Sequence, residues 1–502
     1  MDQGRTDDRQ DDGVRADAEG VGARVDGGAA PRRPRRRVLL GAAAGAVLLA
    51  GGVTAAVVAS RDGAPAPAAG TYPVRASDDG TSLVTADGDP FLYLADTVWL
   101  APSRLDQEGW ASLLDVRAEQ GFTTVQVSLL PFRNLSDDLA NFGGAEPLEG
   151  TDLGAPLEVG GRTDDPGSPD YDYWDHVDAL LRLADERGLQ VALVPAWYGY
   201  EGENWRGELD EGAAAAYGTF LGERLGGHRN LLWLLGGDND PVDDVDKVDG
   251  DRADRVRDVR DATDAMAEAI AEAEAVPHLM SYHARRTVSS LEFFAGRDWH
   301  TFASAYGDAL TWEAVAGSSG QGVPVVLTEA YYDGRERAPE LGERRLRAQA
   351  WWAVLGGAGY AYGHEDVWDL DPGHGADSDA SGRWQDALAA PSAADLTVLA
   401  DAVAGSLPLR PADDVLVSDP GEGDGRVVAA RSGDGRRAWL YLPEARPVEV
   451  ALDAVGGRRV TLTWIDPDDG AADVVDTVDA EGTLDLEPPE DLDDAVLLVE
   501  SA

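Results

Sequence analysis

The sequence contains no cysteine and almost no lysine. Without cysteine the chain has no disulfide bond, no thiolate catalysis, and no iron–sulfur or cysteine-ligated zinc site. Lys247 is the only lysine, and arginine supplies the other basic side chains. We interpret the scarcity of lysine mainly as a base-composition bias of the source genome.

Basic residues as a whole are few. The 502 residues include 42 Lys and Arg against 93 Asp and Glu, which gives a formal net charge of −51. A surface of this charge repels nucleic acid and anionic lipid headgroups, so we expect no nucleic-acid partner. The apolar content of 43% is that of a largely globular protein, and the length allows two folded domains.

The first 72 residues differ in composition from the rest of the chain. Residues 1–30 hold almost no large apolar side chains and predict a disordered cytoplasmic arm. In residues 31–61 a cluster of arginines precedes an apolar run over 38–59, which is long enough to cross a bilayer as a helix. "RRRVLL" also resembles a twin-arginine export signal. Two alternatives stay open: a membrane anchor with the bulk outside, or a signal for secretion. Residues 62–72 predict a linker.

Residues 73–405 alternate eight short apolar strands with amphipathic helices. The strands are "FLYLADTVWL", "FTTVQVSLLP", "LQVALVPAW", "NLLWLLGGD", "PHLMSYH", "WHTFASAY", "VPVVLTEAYY" and "GYAYGH". Eight such units predict an α/β fold, a closed (β/α)8 TIM barrel. An open doubly wound sheet is the alternative, but no GxGxxG follows the first strand. Residues 406–502 show short strands, frequent turns and no helix, and predict a small all-β sandwich.

Polar and aromatic residues close the barrel strands. In a barrel these positions share one face, where active sites form. The predicted substrate-binding residues are Asp96, Trp99, Trp197, Tyr198, Asn239, Tyr282, His283, Tyr331, His364 and Trp368. Aromatic rings beside carboxylates suit sugars, whose C–H faces stack on rings and whose hydroxyls need hydrogen-bond partners.

Two carboxylates stand out as candidate catalytic residues. Asp238 ends the fourth barrel strand and Glu329 the seventh, each after an apolar run. Glycosidic cleavage needs one carboxyl to protonate the leaving oxygen and a second to attack or stabilise the cationic centre. A separation of about 5–5.5 Å gives retention and one of about 6.5–9.5 Å inversion. The sequence leaves that choice open.

Structural alternatives exist for each acid. Asp238 could form a turn or cap a helix, Glu329 could pair with a barrel arginine, and Asp96 could cap the helix that follows it.

The acidic loop from Asp238 to Asp251 resembles a calcium loop loosely, but it lacks the EF-hand spacing and is more typical of a solvated loop.

The two candidate histidines have a metal-binding alternative. No HExxH or similar spacing accompanies His283 or His364, so we expect substrate hydrogen bonds, no metal and no cofactor. Trp351 and Trp352 lie within a helical pattern and are predicted to be core residues.

Several stretches resemble the apiosidase-like glycoside hydrolases, bacterial barrel enzymes with a C-terminal β domain named for collagen binding. They run in the family's order from Phe91 to Trp368: "LADTVWL", "GFTTVQV", "YWDHVDALLRLADERGLQVALVPAW", "YGTFLGERLGGHRNLLWLLGGDND", "LMSYHARRTVSS", "VVLTEAYY" and "AQAWWAVLGGAGYAYGHEDVW". The family's Gly-Glu-Pro at the seventh strand is replaced here by Thr328-Glu329-Ala330.

The resemblance implies that Asp238 is the acid/base and Glu329 the nucleophile, hence retention. It also implies a plant cell-wall type of glycan, because members of the family were linked to apiose-containing pectin. We therefore expect an extracytoplasmic glycoside hydrolase with a carbohydrate substrate. The alternative is a non-catalytic surface protein that binds glycan or matrix.

Overall fold

The computed structural model describes residues 70–200, 202–242, 257–335, 342–370 and 382–502. The predicted N-terminal arm and the apolar run after it lie outside these ranges, as does most of the acidic loop. Within the ranges, no helix has both the length and the apolar character needed to span a bilayer.

Strands and helices alternate in the first three quarters of the described chain, and strands alone form its last quarter. The strands are β1 (Arg75–Ala76), β2 (Leu83–Val84), β3 (Leu94–Thr97), β4 (Thr124–Ser128), β5 (Gln190–Val194), β6 (Leu231–Asn239), β7 (Met280–Ala284), β8 (Ala303–Tyr306), β9 (Val325–Glu329), β10 (Gly359–Tyr362), β11 (Leu409–Pro411), β12 (Val428–Ser432), β13 (Arg437–Leu442), β14 (Val448–Ala451), β15 (Arg459–Ile465), β16 (Ala472–Asp479), β17 (Thr483–Leu486) and β18 (Ala495–Ser501). The α-helices are α1 (Ala101–Arg104), α2 (Gln107–Glu119), α3 (Tyr173–Glu186), α4 (Glu211–Leu225), α5 (Arg260–Ala273), α6 (Leu291–Phe294), α7 (Thr311–Ser318), α8 (Glu343–Leu355), α9 (Glu365–Trp368), α10 (Trp384–Ala387) and α11 (Pro391–Val403).

Strands β3 to β10 form one parallel sheet in the order β7-β6-β5-β4-β3-β10-β9-β8. The two end strands of this order also meet. The Thr301 amide donates to the Met280 carbonyl at 2.9 Å, and Ser281 Oγ donates to the Phe302 carbonyl at 2.7 Å. The sheet is therefore closed, and the prediction of a (β/α)8 barrel is confirmed, strand for strand.

Aspartates begin three helices of the outer ring. The side chains of Asp106, Asp172 and Asp210 accept hydrogen bonds from the first-turn amides of α2, α3 and α4. Each cap satisfies amides that have no partner within the helix, which stabilises a helix by about 1 kcal/mol. These residues fix where each helix starts after its barrel loop.

The barrel strands alternate between two apolar layers. In β6, Leu232 and Leu234 pack inside the barrel, whereas Leu231, Trp233 and Leu235 pack against the surrounding helices. Successive side chains of a strand point to opposite faces. The parity of a residue along its strand therefore decides whether it can reach the barrel mouth.

The C-terminal strands build two antiparallel sheets, one of six strands (β11-β12-β13-β18-β15-β16) and one of two (β14-β17). Side chains from both sheets, among them Leu440 and Val450, share one core, so the predicted all-β sandwich is confirmed. The segment "VLVSDP" makes only an isolated bridge at Leu416, and β16 forms a long strand at the edge of the larger sheet.

The β domain packs on helix α8 of the barrel. Trp351 stacks on Tyr441 with ring centroids 5.9 Å apart. Arg347 binds Asp494 at 2.8 Å and Asp395 at 2.7 Å, and all three side chains are buried. Breaking a buried pair of this kind is strongly destabilising, because it leaves an uncompensated charge. The two domains are thus joined by an apolar and an ionic contact.

Candidate active site

The carboxyl end of β6 is a bulge that positions Asp238. Gly236, Gly237 and Asp238 have φ angles of +87°, +127° and +42°. A Cβ atom on Gly236 would lie 2.6 Å from the Tyr282 ring, and one on Gly237 would lie 2.5 Å from the Trp197 ring. Only glycine fits both the left-handed backbone and these close approaches. Asp238 does not cap the next helix, because the cap position of α5 is Val259.

A second bulge, in β9, positions Glu329. Val326 packs inside the barrel and Leu327 outside it. Opposite them on β8, Ala305 pairs with Leu327 but Tyr306 pairs with Glu329, so Thr328 is an extra residue in the ladder. A shift of one residue moves the following side chain to the other face. Glu329 consequently points into the barrel mouth.

His283, at the end of β7, contacts both acids. Its Nδ1 accepts a hydrogen bond from the Asp238 amide at 3.0 Å, so we place the proton of the neutral ring on Nε2. Nε2 lies 3.1 Å from Glu329 Oε2, although the two atoms are not aligned as a hydrogen bond. One imidazole ring therefore contacts the backbone of Asp238 with one nitrogen and the carboxyl of Glu329 with the other.

Tyr306 holds the other oxygen of Glu329. Its hydroxyl donates to Oε1 at 3.2 Å. Burial raises the pKa of Tyr306 well above its usual value, so the hydroxyl keeps its proton and can donate. No arginine of the described residues lies within ion-pair distance of Glu329, which is 8% exposed. The alternative of a structural salt bridge to arginine is therefore wrong.

Asp238 is in a setting that favours its protonated form. Burial raises its pKa well above the ordinary value, and the nearby charge of Glu329 raises it further. The guanidinium and backbone amide of Arg286 act in the opposite direction. Oδ1 is buried and has no hydrogen-bond partner among the described residues. A half-buried carboxyl of this kind can hold a proton and deliver it.

Aromatic rings line one side of the acids. Trp197 lies between Trp99 and Phe132, with ring centroids at 4.8 Å and 5.0 Å, and Phe132 stacks on Trp368 at 6.1 Å. Trp99 Nε1 donates to the Tyr332 hydroxyl at 2.8 Å, which fixes the inner end of the row. We call Trp99, Trp197, Phe132 and Trp368 the aromatic wall.

Two arginines also flank the site. Arg286 lies over the rings of Tyr306 and Tyr331, at 5.8 Å and 5.5 Å from their centroids. Arg335 lies 5.7 Å from the same Tyr331 ring and pairs with Glu365 at 2.9 Å. Tyr331 is therefore at the rim of the site, held between two guanidinium groups.

The structure brings together Asp238, Glu329, Trp99, Trp197, His283 and Trp368, with Tyr331 at the rim. It does not bring Asp96 there. The Asp96 carboxylate pairs with Arg117 Nε at 2.6 Å, outside the barrel and fully buried. The position of Asp96 in β3 turns its side chain away from the barrel mouth, so the prediction that it binds substrate is wrong. The alternative that Asp96 caps the following helix is also wrong, because Leu100 occupies the N-cap position of α1.

Three more predicted residues point away from the site. The Tyr198 hydroxyl meets Thr263 at 3.1 Å, and Tyr282 packs on Phe294 among the outer helices. Asn239 follows Asp238 and so has the opposite parity: its amide oxygen accepts from Arg206 at 2.9 Å and its amide nitrogen donates to the Gly199 carbonyl. These three side chains support the loops, and the prediction that they bind substrate is corrected.

His364 has a structural task. Its Nδ1 accepts from the Asp366 amide at 3.1 Å and so caps α9. Only its Nε2 remains for a ligand, and its predicted contact with substrate stays a prediction.

No group of three or more His, Asp or Glu side chains in the described ranges is arranged to hold a metal ion.

Tyr306 and Arg286 are among the residues of the site that the sequence analysis did not select. Tyr306 ends β8, so the rule that selected the other strand ends could have found it. Arg286 lies in the loop after β7, within "HARRTVSS", where no periodic pattern indicates a direction. Loop conformation alone brings it to the acids.

Comparison with protein families gives two matches. Residues 77–408 match the family described as "Apiosidase-like, catalytic domain". Residues 411–500 match the "Putative collagen-binding domain of a collagenase". No curated protein matches the chain.

Solved structures share the same architecture. A glycoside hydrolase family 5 structure from Bacteroides vulgatus ATCC 8482 is 25% identical, with a TM-score of 0.72, and the match covers 85% of this chain and 93% of that one. A second structure, titled only as a glycoside hydrolase, is 24% identical with a TM-score of 0.72 over 86% and 97% of the two chains. The second likeness shows the fold alone.

Proposed function

This chain belongs to the apiosidase-like glycoside hydrolases, and on that premise we propose that Asp238 and Glu329 cleave a plant cell-wall type of glycan with retention. One observation carries the proposal. The Asp238 backbone and the Glu329 carboxyl both contact His283, and the charge of Glu329 is near enough to help raise the pKa of Asp238, while Glu329 itself is held by a tyrosine hydroxyl. The two carboxyls thus differ in the way that a proton donor and a nucleophile must differ.

In the first step, Glu329 attacks the anomeric carbon while Asp238 gives its proton to the leaving oxygen. The glycosidic C–O bond breaks, and an ester forms between the sugar and Glu329. In the second step, Asp238 takes a proton from water, the water oxygen attacks the anomeric carbon, and Glu329 leaves as a carboxylate. Tyr306 and His283 would orient Glu329 throughout, since both contact its oxygens.

The surroundings of the acids suit a sugar. The aromatic wall offers apolar ring faces, and the buried rings exclude water from the proton donor. The family's description supports a plant cell-wall substrate, because apiose occurs in pectin. The arginine-flanked apolar run over 38–59 supports an extracytoplasmic site of action, by anchor or by secretion.

Matrix binding without catalysis is the second candidate, and the match of residues 411–500 favours it. The aromatic residues of the β domain, Trp439, Tyr441 and Trp464, are all buried, so the domain offers no aromatic platform for sugar. Turnover separates the two functions, because a binding protein would hold glycan without cleaving it.

The test is to incubate the purified chain with plant cell-wall polysaccharides and aryl glycosides and to measure hydrolysis as the release of reducing sugar. For the best substrate, proton NMR during the first minutes should show the product anomer with the configuration of the substrate. The opposite anomer would exclude Glu329 as a nucleophile. If no glycan or glycoside is cleaved while matrix proteins or glycans bind, the second candidate replaces the first.

Replacing Arg286 with glutamine should move the alkaline limb of kcat/KM to higher pH. Asp238 must be protonated to act as an acid, so activity falls as pH rises through its pKa. The guanidinium lowers that pKa, and its loss should therefore raise it. The Arg286→Lys variant keeps the charge and should keep the limb near its wild-type position. A limb that moves to lower pH in the glutamine variant would contradict the assignment of Asp238.

A further inference from the structure

Beside the aromatic wall lies a cavity of about 350 Å³ that the two acids do not use. It is formed by the helix after β3 and the loop after β4, so it opens on the same barrel face as the acids. Its lining includes Ser103, Phe132, Ser136, Asn141 and Phe142. We call it the Phe142 cavity. Its volume is in the range of small-ligand sites.

Phe132 connects this cavity to the acids. Phe132 lines the Phe142 cavity, and its ring contacts Trp197 and Trp368 of the aromatic wall. Trp197 in turn lies 5.2 Å from His283, which touches Asp238 and Glu329. A continuous line of rings therefore leads from the acids to the cavity.

Phe142 is unusual in its exposure. Among the described residues the strongly exposed aromatic side chains are Phe142, at 54%, and Tyr200, at 58%. Both lie on loops at the carboxyl ends of barrel strands. An apolar ring left in water on the face that holds the acids favours a ligand that covers it.

The backbone holds Phe142 in a fixed position. The Phe142 amide donates to the Ser103 carbonyl at 2.8 Å. Asn141 Oδ1 accepts from the amides of Gly143 and Ala145, at 3.0 Å and 3.1 Å, which closes the turn around the phenylalanine. The ring edge packs on His176, with centroids 5.2 Å apart. A ring held in this way loses little conformational entropy when a ligand stacks on it.

We propose that the Phe142 cavity is a further sugar subsite, so that the substrate is a chain of sugars that extends from the acids past Phe132 onto Phe142. This inference rests on the proposed function and narrows it, because a simple monoglycoside would leave the cavity empty. Ser103 and Ser136 would supply hydroxyl partners at its edge.

The experiment compares two probes with wild-type protein and Phe142→Ala. One probe is the aryl monoglycoside that the wild type cleaves fastest. The other is an oligosaccharide series of two to six sugars, made from the polysaccharide that the wild type cleaves. Loss of one stacking ring should lower the ratio of kcat/KM on the long chains to kcat/KM on the monoglycoside by about tenfold. Phe142→Tyr keeps a ring and should restore the ratio.

An unchanged ratio in Phe142→Ala would overturn the subsite, and so would an equal loss on both probes, which would indicate a structural role. Thermal unfolding of both variants checks that the fold is intact. The proposed function is judged separately, since wild-type turnover of the monoglycoside does not depend on the cavity.

Discussion

Replacing Glu329 with glutamine should lower kcat by several orders of magnitude, on the order of 10⁴-fold or more. The amide is a very poor nucleophile and carries no charge to stabilise the cationic centre, so both contributions of the carboxylate vanish. The fold should survive, because the two side chains have the same shape and the Tyr306 hydroxyl can still donate to the amide oxygen. Steady-state kinetics on the best aryl glycoside, with circular dichroism on the same sample, measure this.

The matched control is Glu313→Gln, the same change at an exposed carboxylate on the outer helix α7. It should keep wild-type turnover. If Glu329→Gln retained a tenth or more of the wild-type kcat, Glu329 would not be the nucleophile. The mechanism proposed here would then fail at its first step.

Replacing Asp238 with asparagine should have an effect that depends on the leaving group. General acid catalysis contributes roughly 10²–10⁴-fold, so an unactivated glycan should lose about that much. A glycoside with a dinitrophenolate leaving group needs no proton for bond cleavage, and its first step should be far less affected. Asparagine tolerates positive φ almost as well as aspartate, so the +42° backbone at this position should be preserved.

Azide provides a second measurement for Asp238→Asn. Without a general base, the glycosyl ester on Glu329 should react slowly with water and accumulate. Azide is a nucleophile that needs no deprotonation, so it should restore turnover and give a glycosyl azide of retained configuration. Equal losses on the activated and unactivated substrates, with no azide product, would show that Asp238 is not the acid/base.

The pairing of the acids has a cost that these variants should reveal. Asp238 is desolvated and lies near the charge of Glu329, and both effects raise its pKa. Because the unfolded chain loses this proton more readily than the folded protein does, Asp238 lowers the free energy of unfolding at pH values above its ordinary pKa. The Asp238→Asn variant removes this ionisation, so the protein should unfold no earlier than the wild type at neutral pH.

The sequence by itself determined the barrel and the placement of its acids along the chain. Apolar runs of strand length alternate with helical periodicities, and both patterns are local. The carboxyl ends of the strands share one barrel face. Asp238, Glu329, His283, Trp99 and Trp197 could therefore be expected together. The frequent turns between short strands likewise predicted the β sandwich, although they did not predict its edge strand β16.

Tertiary structure alone decided which of these side chains face inwards. Asp96 and Asn239 end barrel strands as Asp238 does, yet their parity turns them to the outer helices. Glu329 faces inwards only because Thr328 is an extra residue in its ladder. Side chains alternate with a period of two, so one bulge reverses every residue after it. Whether a bulge forms depends on the neighbouring strand and on the rings packed against it, and these partners come from distant parts of the chain.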